Sequence, residues 1–293
     1  MFDLNKLLID VFDPQSGELV AVVVDEPTGA VPDHDVWRAR REMAEQWRKA
    51  LTKLGAERGF DVRPLVSFPA TGGNNADLPA TGTMGGQEID LGEVLSDSTL
   101  VLAMTEFSAT APLVHVAEAA EDFRAASMPG VEKRMEGTAL AADYAKVAAR
   151  CKAIYDAMQG AQLCDVLFTT GHRCFFDLRQ RSAEMDDGFL PRGKEGDPII
   201  NLPSGETFIV PYEGEIHGLP SWTAGTIPVV EDDEMVLFHV VANCVQVVEG
   251  DGPVAERYAE FFNDDPARSN IAEVAFGVHV LAEVTGCVLE AET

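Results

Sequence analysis

Hydrophobic positions change their period along the chain, and the change predicts two kinds of structure. Leu19 to Val24 (LVAVVV) is an unbroken apolar, mostly β-branched run, the pattern of a strand buried on both faces. From Val36 to Arg58, Trp37, Ala44, Trp47, Leu51 and Leu54 recur at helical spacing, with Asp33 or Asp35 available as a cap and Gly59 as a stop. Asp61 to Phe68, Leu100 to Met104 and Val166 to Thr169 read as further strands. Pro112 to Phe123 and Ala139 to Met158 read as helices. Strands alternating with helices predict a doubly wound α/β sheet. Residues 69–88 (PATGGNNADLPATGTMGGQE) repeat Gly, Pro and Asn too often for a regular element and read as loop. The Gly82, Gly85 and Gly86 cluster within it is a weak phosphate-loop pattern, better read as a surface loop.

Beyond about residue 190 the style changes. Short strands dominate at Thr207 to Val210, Thr226 to Val230 and Met235 to Val248, interrupted by a helix at Pro253 to Phe262. The predicted organisation is an N-terminal doubly wound, Rossmann-like α/β domain over 1–190 and a β-rich C-terminal domain over 191–293, joined near Gly188 to Asp197. No internal repeat or low-complexity tract is present.

Composition narrows the function classes. With 22 Lys and Arg against 49 Asp and Glu, the net charge is −27, which argues against a nucleic-acid groove or docking on anionic lipid. The longest apolar stretch, Met235 to Ala242, is broken by His239 and is too short to span a bilayer. The start, MFDLNKLLID, lacks the cationic region of a secretory signal. Five cysteines, at 151, 164, 174, 244 and 287, form no CxxC pair, so a reducing, cytoplasmic setting is the simplest expectation.

No Walker loop, GxGxxG, GxSxG, HExxH or EF-hand loop occurs. Three places carry candidate chemistry. In NLPSGE (201–206), Pro203 and Gly205 predict a tight turn that delivers Glu206 to a strand. A carboxylate so placed suits a hard metal or an amine, although spacing alone favours a solvated turn residue. In NIAEVAFG (270–277), Glu273 stands in an apolar segment. Buried there, it would need a metal, an arginine such as Arg268, or hydrogen-bond donors. Thr169-Thr-Gly-His172 joins a strand end to a turn, where α/β sheets place ligand groups, though a lone histidine is more often structural. His217 and His279 lie close to the two glutamate motifs. Cys164 and Cys174 flank His172 at a spacing that matches no zinc finger or ribbon. Ser108 and Ser127 have no base at a recognised spacing and read as loop hydroxyls.

NLPSGE (201–206), with RSNIAEVAFGV (268–278) downstream, resembles the M29 aminopeptidases, the aminopeptidase T or thermophilic metallo-aminopeptidase family, whose members carry NLP-[small]-GE and then N-[LI]-A-E-[LV]-x-x-G. The resemblance implies a metal-dependent hydrolase that releases N-terminal residues from small peptides or amino-acid-derived substrates. It implies a homodimer, and two divalent ions per site, Zn, Co, Mn or Mg, with Glu206 and Glu273 as ligands. Two ions about 3.5–4 Å apart polarise a scissile carbonyl and activate a bridging water. On zinc the pKa of that water falls to roughly 7. The family's other ligands, a His in a GxxH-type strand, a Tyr and a final His-x-Asp, follow the second motif, and no counterpart precedes Thr293. Relative to the family the C-terminal domain therefore reads as truncated, and no catalytic residue is assigned. His172, His217 and His279 remain accessory candidates. Two other readings stay open. One is a non-catalytic relative acting as a binding or structural subunit. The other is the related branch of Fe(II) ring-cleaving dioxygenases acting on dihydroxypyridines, in which a His replaces the second Glu; Glu273 favours the hydrolase.

Overall fold

The computed structural model describes residues 2–291 and 293. The chain divides into two compact units, Met1–Cys151 with Asp186–Glu206 and Gly277–Thr293, and Lys152–Met185 with Thr207–Phe276.

The first unit is α/β. Its strands are β1 (Leu19–Glu26), β2 (Asp61–Val62), β3 (Val66–Pro69), β4 (Thr81–Met84), β5 (Gln87–Asp90), β6 (Leu100–Ala103) and β7 (Arg124–Ser127). An eighth, Ile199–Asn201, comes from much later in the chain. The order across the sheet is Ile199–Asn201, β7, β6, β1, β3, β4, β5, with β2 also on β1. The strands from Ile199–Asn201 through β3 are parallel, and β4 and β5 form an antiparallel edge. Six of the eight β1 residues are buried, as a parallel strand covered on both faces requires. The helices α1 (Leu4–Phe12), α2 (Asp35–Arg58), α3 (Leu91–Ser96) and α4 (Thr110–Ala119) supply the cover. Leu91, Val94, Leu95 and Leu113 pack with Val23, Val101 and Ala125 in one core layer. On α2 the predicted stripe of Trp37, Ala44, Trp47, Leu51 and Leu54 is buried.

Several local expectations are corrected. The cap of α2 is His34, whose Nδ1 accepts the Trp37 N–H at 3.3 Å, rather than Asp33 or Asp35. Asp33 is drawn instead to Arg38 and Arg41. The strand expected over Asp61 to Phe68 is broken at Arg63–Leu65, where Pro64 has no N–H to add to a ladder. The glycine-rich stretch 69–88 is not all loop: β4 and β5 form a hairpin whose two turn residues, Gly85 and Gly86, have φ of 60° and 80°. That conformation matches the twist of the paired strands and strongly favours glycine.

The second unit is β-rich. A five-stranded antiparallel sheet runs β15, β14, β13, β9, β8, from β8 (Leu163–Leu167), β9 (Arg173–Asp177), β13 (Ala224–Glu231), β14 (Glu234–Val241) and β15 (Cys244–Glu249). Numbering Ile199–Asn201 as β11, three more strands, β10 (Glu184–Asp186), β12 (Glu206–Ile209) and β16 (Val274–Gly277), pair in the order β10, β12, β16. Most of their residues belong to this unit. Phe176, Leu178, Ile209, Val240 and Val274 share its core. Phe238 meets Tyr258 and Phe262 of the helix Pro253–Asp264 edge to face, at 5.0 and 5.4 Å between centroids. The single run expected at Met235 to Val248 is two strands, turned at Ala242 and Asn243, both left-handed. The strand expected at Val166 to Thr169 lies here, as β8, and not in the doubly wound sheet. An α/β unit and a β-rich region are thus both present, but the division is discontinuous where the sequence suggested one boundary near residue 190.

Candidate functional site

The NLPSGE turn is held by several independent constraints. The Leu202–Pro203 peptide is cis. Asp186 holds both sides of the turn: its Oδ2 accepts the Asn201 N–H at 2.8 Å, and its carbonyl accepts the Ser204 hydroxyl at 3.1 Å. Gly205 has φ of +152°, and a Cβ there would lie 2.9 Å from Val147 Cγ1 and 3.0 Å from His279 Cβ. The turn therefore needs glycine at this position. The Gly205 carbonyl accepts the Val278 N–H at 2.8 Å. Glu206 follows as the first residue of β12, with only 8% of its surface exposed, so it is not the solvated turn residue that spacing alone favoured.

Three buried titratable groups surround this turn. Burial, with the Asp187 charge as a lesser cause, pushes the Asp186 carboxyl up to about 6, against the lowering effect of Ser204 and the Asn201 N–H. Burial foremost, and then the Asp186 charge, raises the Tyr144 phenol above its ordinary value. Tyr144 sits under Gly188, where a Cβ would come 2.2 Å from its ring. His279 meets Tyr144 edge-on at 6.1 Å, and burial holds its pKa low although the Ala139 carbonyl counters in part. Asp186 Oδ1, the Tyr144 hydroxyl and His279 Nε2 find no well-formed hydrogen bond among the described residues.

The other predicted residues are placed differently. Glu273 precedes β16 and is exposed, which corrects the expectation of a buried strand carboxylate. Enough protein still surrounds its carboxyl that desolvation, and secondarily the Glu184 charge, raises its pKa. Its expected alternative partner, Arg268, instead meets Asp264 at 3.4 Å and covers the Phe261 ring at 4.6 Å. His172 stands at the tip of the β8–β9 hairpin, with Nδ1 2.9 Å from Thr170 Oγ1. That is an antiparallel turn, not the carboxyl edge of a parallel sheet. His217 is exposed in the loop after β12. His279, in the same unit as the Glu206 turn, packs against it at Gly205. Asp186 and Tyr144 escaped sequence reasoning, because neither EMDDG nor DYAKV carries a motif.

A metal centre can be tested against this donor set. Glu206 belongs to the first unit and Glu273 to the second. Among the described residues no group of three or more His, Cys, Asp or Glu side chains is placed to hold an ion. The described donors therefore do not make the closed two-ion centre that the resemblance implies, and no chemical step is derived through a metal. None of the five cysteines is in a disulfide. Among the described residues no helix is long and apolar enough to cross a membrane.

This architecture, an α/β unit with a β-rich region, is shared with solved structures of other proteins. The chain is similar to the 2,5-dihydroxypyridine dioxygenase of Pseudomonas putida KT2440, with a TM-score of 0.65 at 17% identity over 96% of this chain and 77% of that one. It is also similar to wild-type AmpT from Thermus thermophilus, with a TM-score of 0.53 at 13% identity over 94% and 77%. At these identities the likeness shows the fold alone. No family model and no curated protein matches the sequence.

Proposed function

We propose that the chain is a metal-dependent, aminopeptidase-like hydrolase acting on small peptides, with Glu206 and Glu273 as its divalent-ion carboxylates. The observation that carries this reading is Glu206: a buried carboxylate held on a rigid turn by an obligate glycine and the Asp186 clamp. Such preorganisation suits a ligand better than a solvated turn residue. The order of the two motifs and the fold shared with AmpT support it. When bound, divalent ions would supply the activated water. The residues of this chain supply acidic oxygens and a rigid frame.

The incomplete donor set favours a second reading, a non-catalytic member of the same fold that binds peptide or a partner. Hydrolysis of aminoacyl p-nitroanilides and short peptides, measured with Co²⁺, Zn²⁺ or Mn²⁺ and with chelator, separates the two. The hydrolase reading requires turnover that chelator removes and Glu206→Gln abolishes. Absence of turnover across metals and substrates, with wild type folded, leaves the second reading. Fe²⁺-dependent oxygen uptake with a dihydroxypyridine would replace both with a dioxygenase.

A further inference from the structure

The five-stranded antiparallel sheet of the second unit has one covered face and one bare face. Inward, Phe176, Val240 and Val245 join the core, and Val236 packs with Val254 and Ala255 of the helix Pro253–Asp264. A sheet with one face in water ordinarily carries polar residues at the alternate, outward positions. Here many of those positions are aliphatic. Val230 pairs with Met235, and Met235 and Val241 alternate with the inward Val236 and Val240, so all three point outward. Val247 pairs with the outward His239, and Leu167 follows the core-packed Val166 on β8. Leu167, Val230, Met235, Val241 and Val247 are each at least half exposed. Contiguous apolar surface of this kind is uncommon on a protein that stays alone and marks an interaction face.

The same face is close to neutral in a chain with 49 acids against 22 Lys and Arg. Its exposed carboxylates are Asp165, which accepts from Arg173 Nε at 2.6 Å, and Glu249, whose Oε2 lies 2.6 Å from His239 Nε2. The other acids of β13 and β14 turn the opposite way: Glu231 meets Tyr258 and Arg257, and Glu234 accepts the Val254 N–H. Covering the face therefore strands no lone carboxylate, and a charged partner would find no unpaired group to meet. A fitting partner must bring an apolar, near-neutral surface of similar size, and a second copy of this chain brings one. With strands about 4.8 Å apart rising about 3.4 Å per residue, five strands of five to eight residues cover about 500 Å². Two such faces bury about 1,000 Å², the low end of what a specific association needs. We propose that the outward face of this sheet is a two-fold interface between two copies of the chain, held by apolar burial and dissociating at micromolar concentration. The proposal does not depend on either reading of the Glu206 site.

Sedimentation velocity of the full chain, from about 1 to about 200 µM and at low and high salt, tests it. The proposal predicts a monomer–dimer equilibrium within that range. Salt should strengthen it, because salt screens the repulsion between two chains of charge −27 and leaves apolar burial intact. Val247→Glu and Leu167→Glu lie on opposite edge strands, and each places an unpaired charge in the interface. Each should raise the dissociation constant roughly 10-fold or more. Their melting temperatures in dilute solution should match wild type, because both side chains are already exposed in the single chain. Val284→Glu, at an exposed valine of the first unit, should leave the equilibrium unchanged. A chain that stays monomeric across the range would overturn the proposal. So would a dimer that both sheet variants retain, that Val284→Glu weakens equally, or that high salt dissolves. Binding to phosphatidylcholine vesicles by a monomeric chain would replace the second copy with a lipid surface.

Discussion

Replacing Asp186 by Asn should change the pH dependence of stability more than stability itself. The native carboxyl is pushed up to about 6, chiefly by burial, against an ordinary value of 3.8. Between those values the native state binds more protons than the unfolded chain, so stability falls as pH rises. The contribution is fully present below about pH 4 and is lost as pH passes through about 6. The difference of roughly 2 pH units corresponds to about 3 kcal/mol. Asparagine cannot ionise, and its side-chain oxygen can still accept the Asn201 N–H. Wild type and Asp186→Asn should therefore have similar stability near pH 4, and the variant should become about 3 kcal/mol more stable by pH 8. For a chain of this size that is roughly a 6 °C difference in Tm. Circular-dichroism melts at pH 4, 5, 6, 7 and 8 give the two curves. Parallel curves, or a variant that loses stability as pH rises, would refute the assignment of Asp186 as a buried, destabilising carboxylate in the NLPSGE turn.

Three further outcomes follow from packing and charge. Gly205→Ala places a methyl 2.9 Å from Val147 and 3.0 Å from His279 at a φ of +152°, and should cost roughly 2–5 kcal/mol in denaturant unfolding. Arg134→Ala removes the cation 2.5 Å from the fully buried Glu290, leaving Thr138 Oγ1 and the Glu283 N–H as donors to its carboxylate; the loss should be roughly 3 kcal/mol, measured by the same method. Burial, foremost, and the neighbouring Cys164 push the Cys174 thiol up to about 11, so mass spectrometry after iodoacetamide at pH 8 should find Cys174 unmodified in native protein and alkylated in urea.

What could be read from the sequence depended on how local each signal was. The run at Leu19–Val24 and the stripe on α2 are periodic patterns over many residues, and both elements formed close to their expected bounds. The Gly85-Gly86 hairpin was missed and read as loop, because the surrounding glycines and prolines hid a two-glycine turn between short strands. The placement of Val166–Leu167 in an antiparallel sheet was not legible, because a short apolar run does not say which strand it will pair with. The return of Ile199–Asn201 to the first sheet is likewise a long-range pairing. At the candidate site, Gly205 and Pro203 announced a tight turn, and the turn is there. The groups that hold it, Asp186, Tyr144 and His279, come from separate stretches of chain, and only the fold brings them together. Glu273 shows the opposite failure. Its apolar neighbours suggested burial, yet it sits just before a strand whose first residue, Val274, takes the core position instead.

The central claim is that Glu206 and Glu273 serve a divalent ion, and thermal melts with and without metal test it most directly. Wild type, Glu206→Gln and Glu273→Gln are melted in chelator and then in Co²⁺ or Zn²⁺. An ion at a hundred times its Kd stabilises the native state by about 2.7 kcal/mol, roughly a 5 °C rise in Tm. The account predicts that rise in wild type and its loss in both variants, with the chelator melt of Glu273→Gln barely moved, because Glu273 has no ion pair among the described residues to lose. A wild-type melt unchanged by metal, or a metal-induced rise that survives both substitutions, would contradict it.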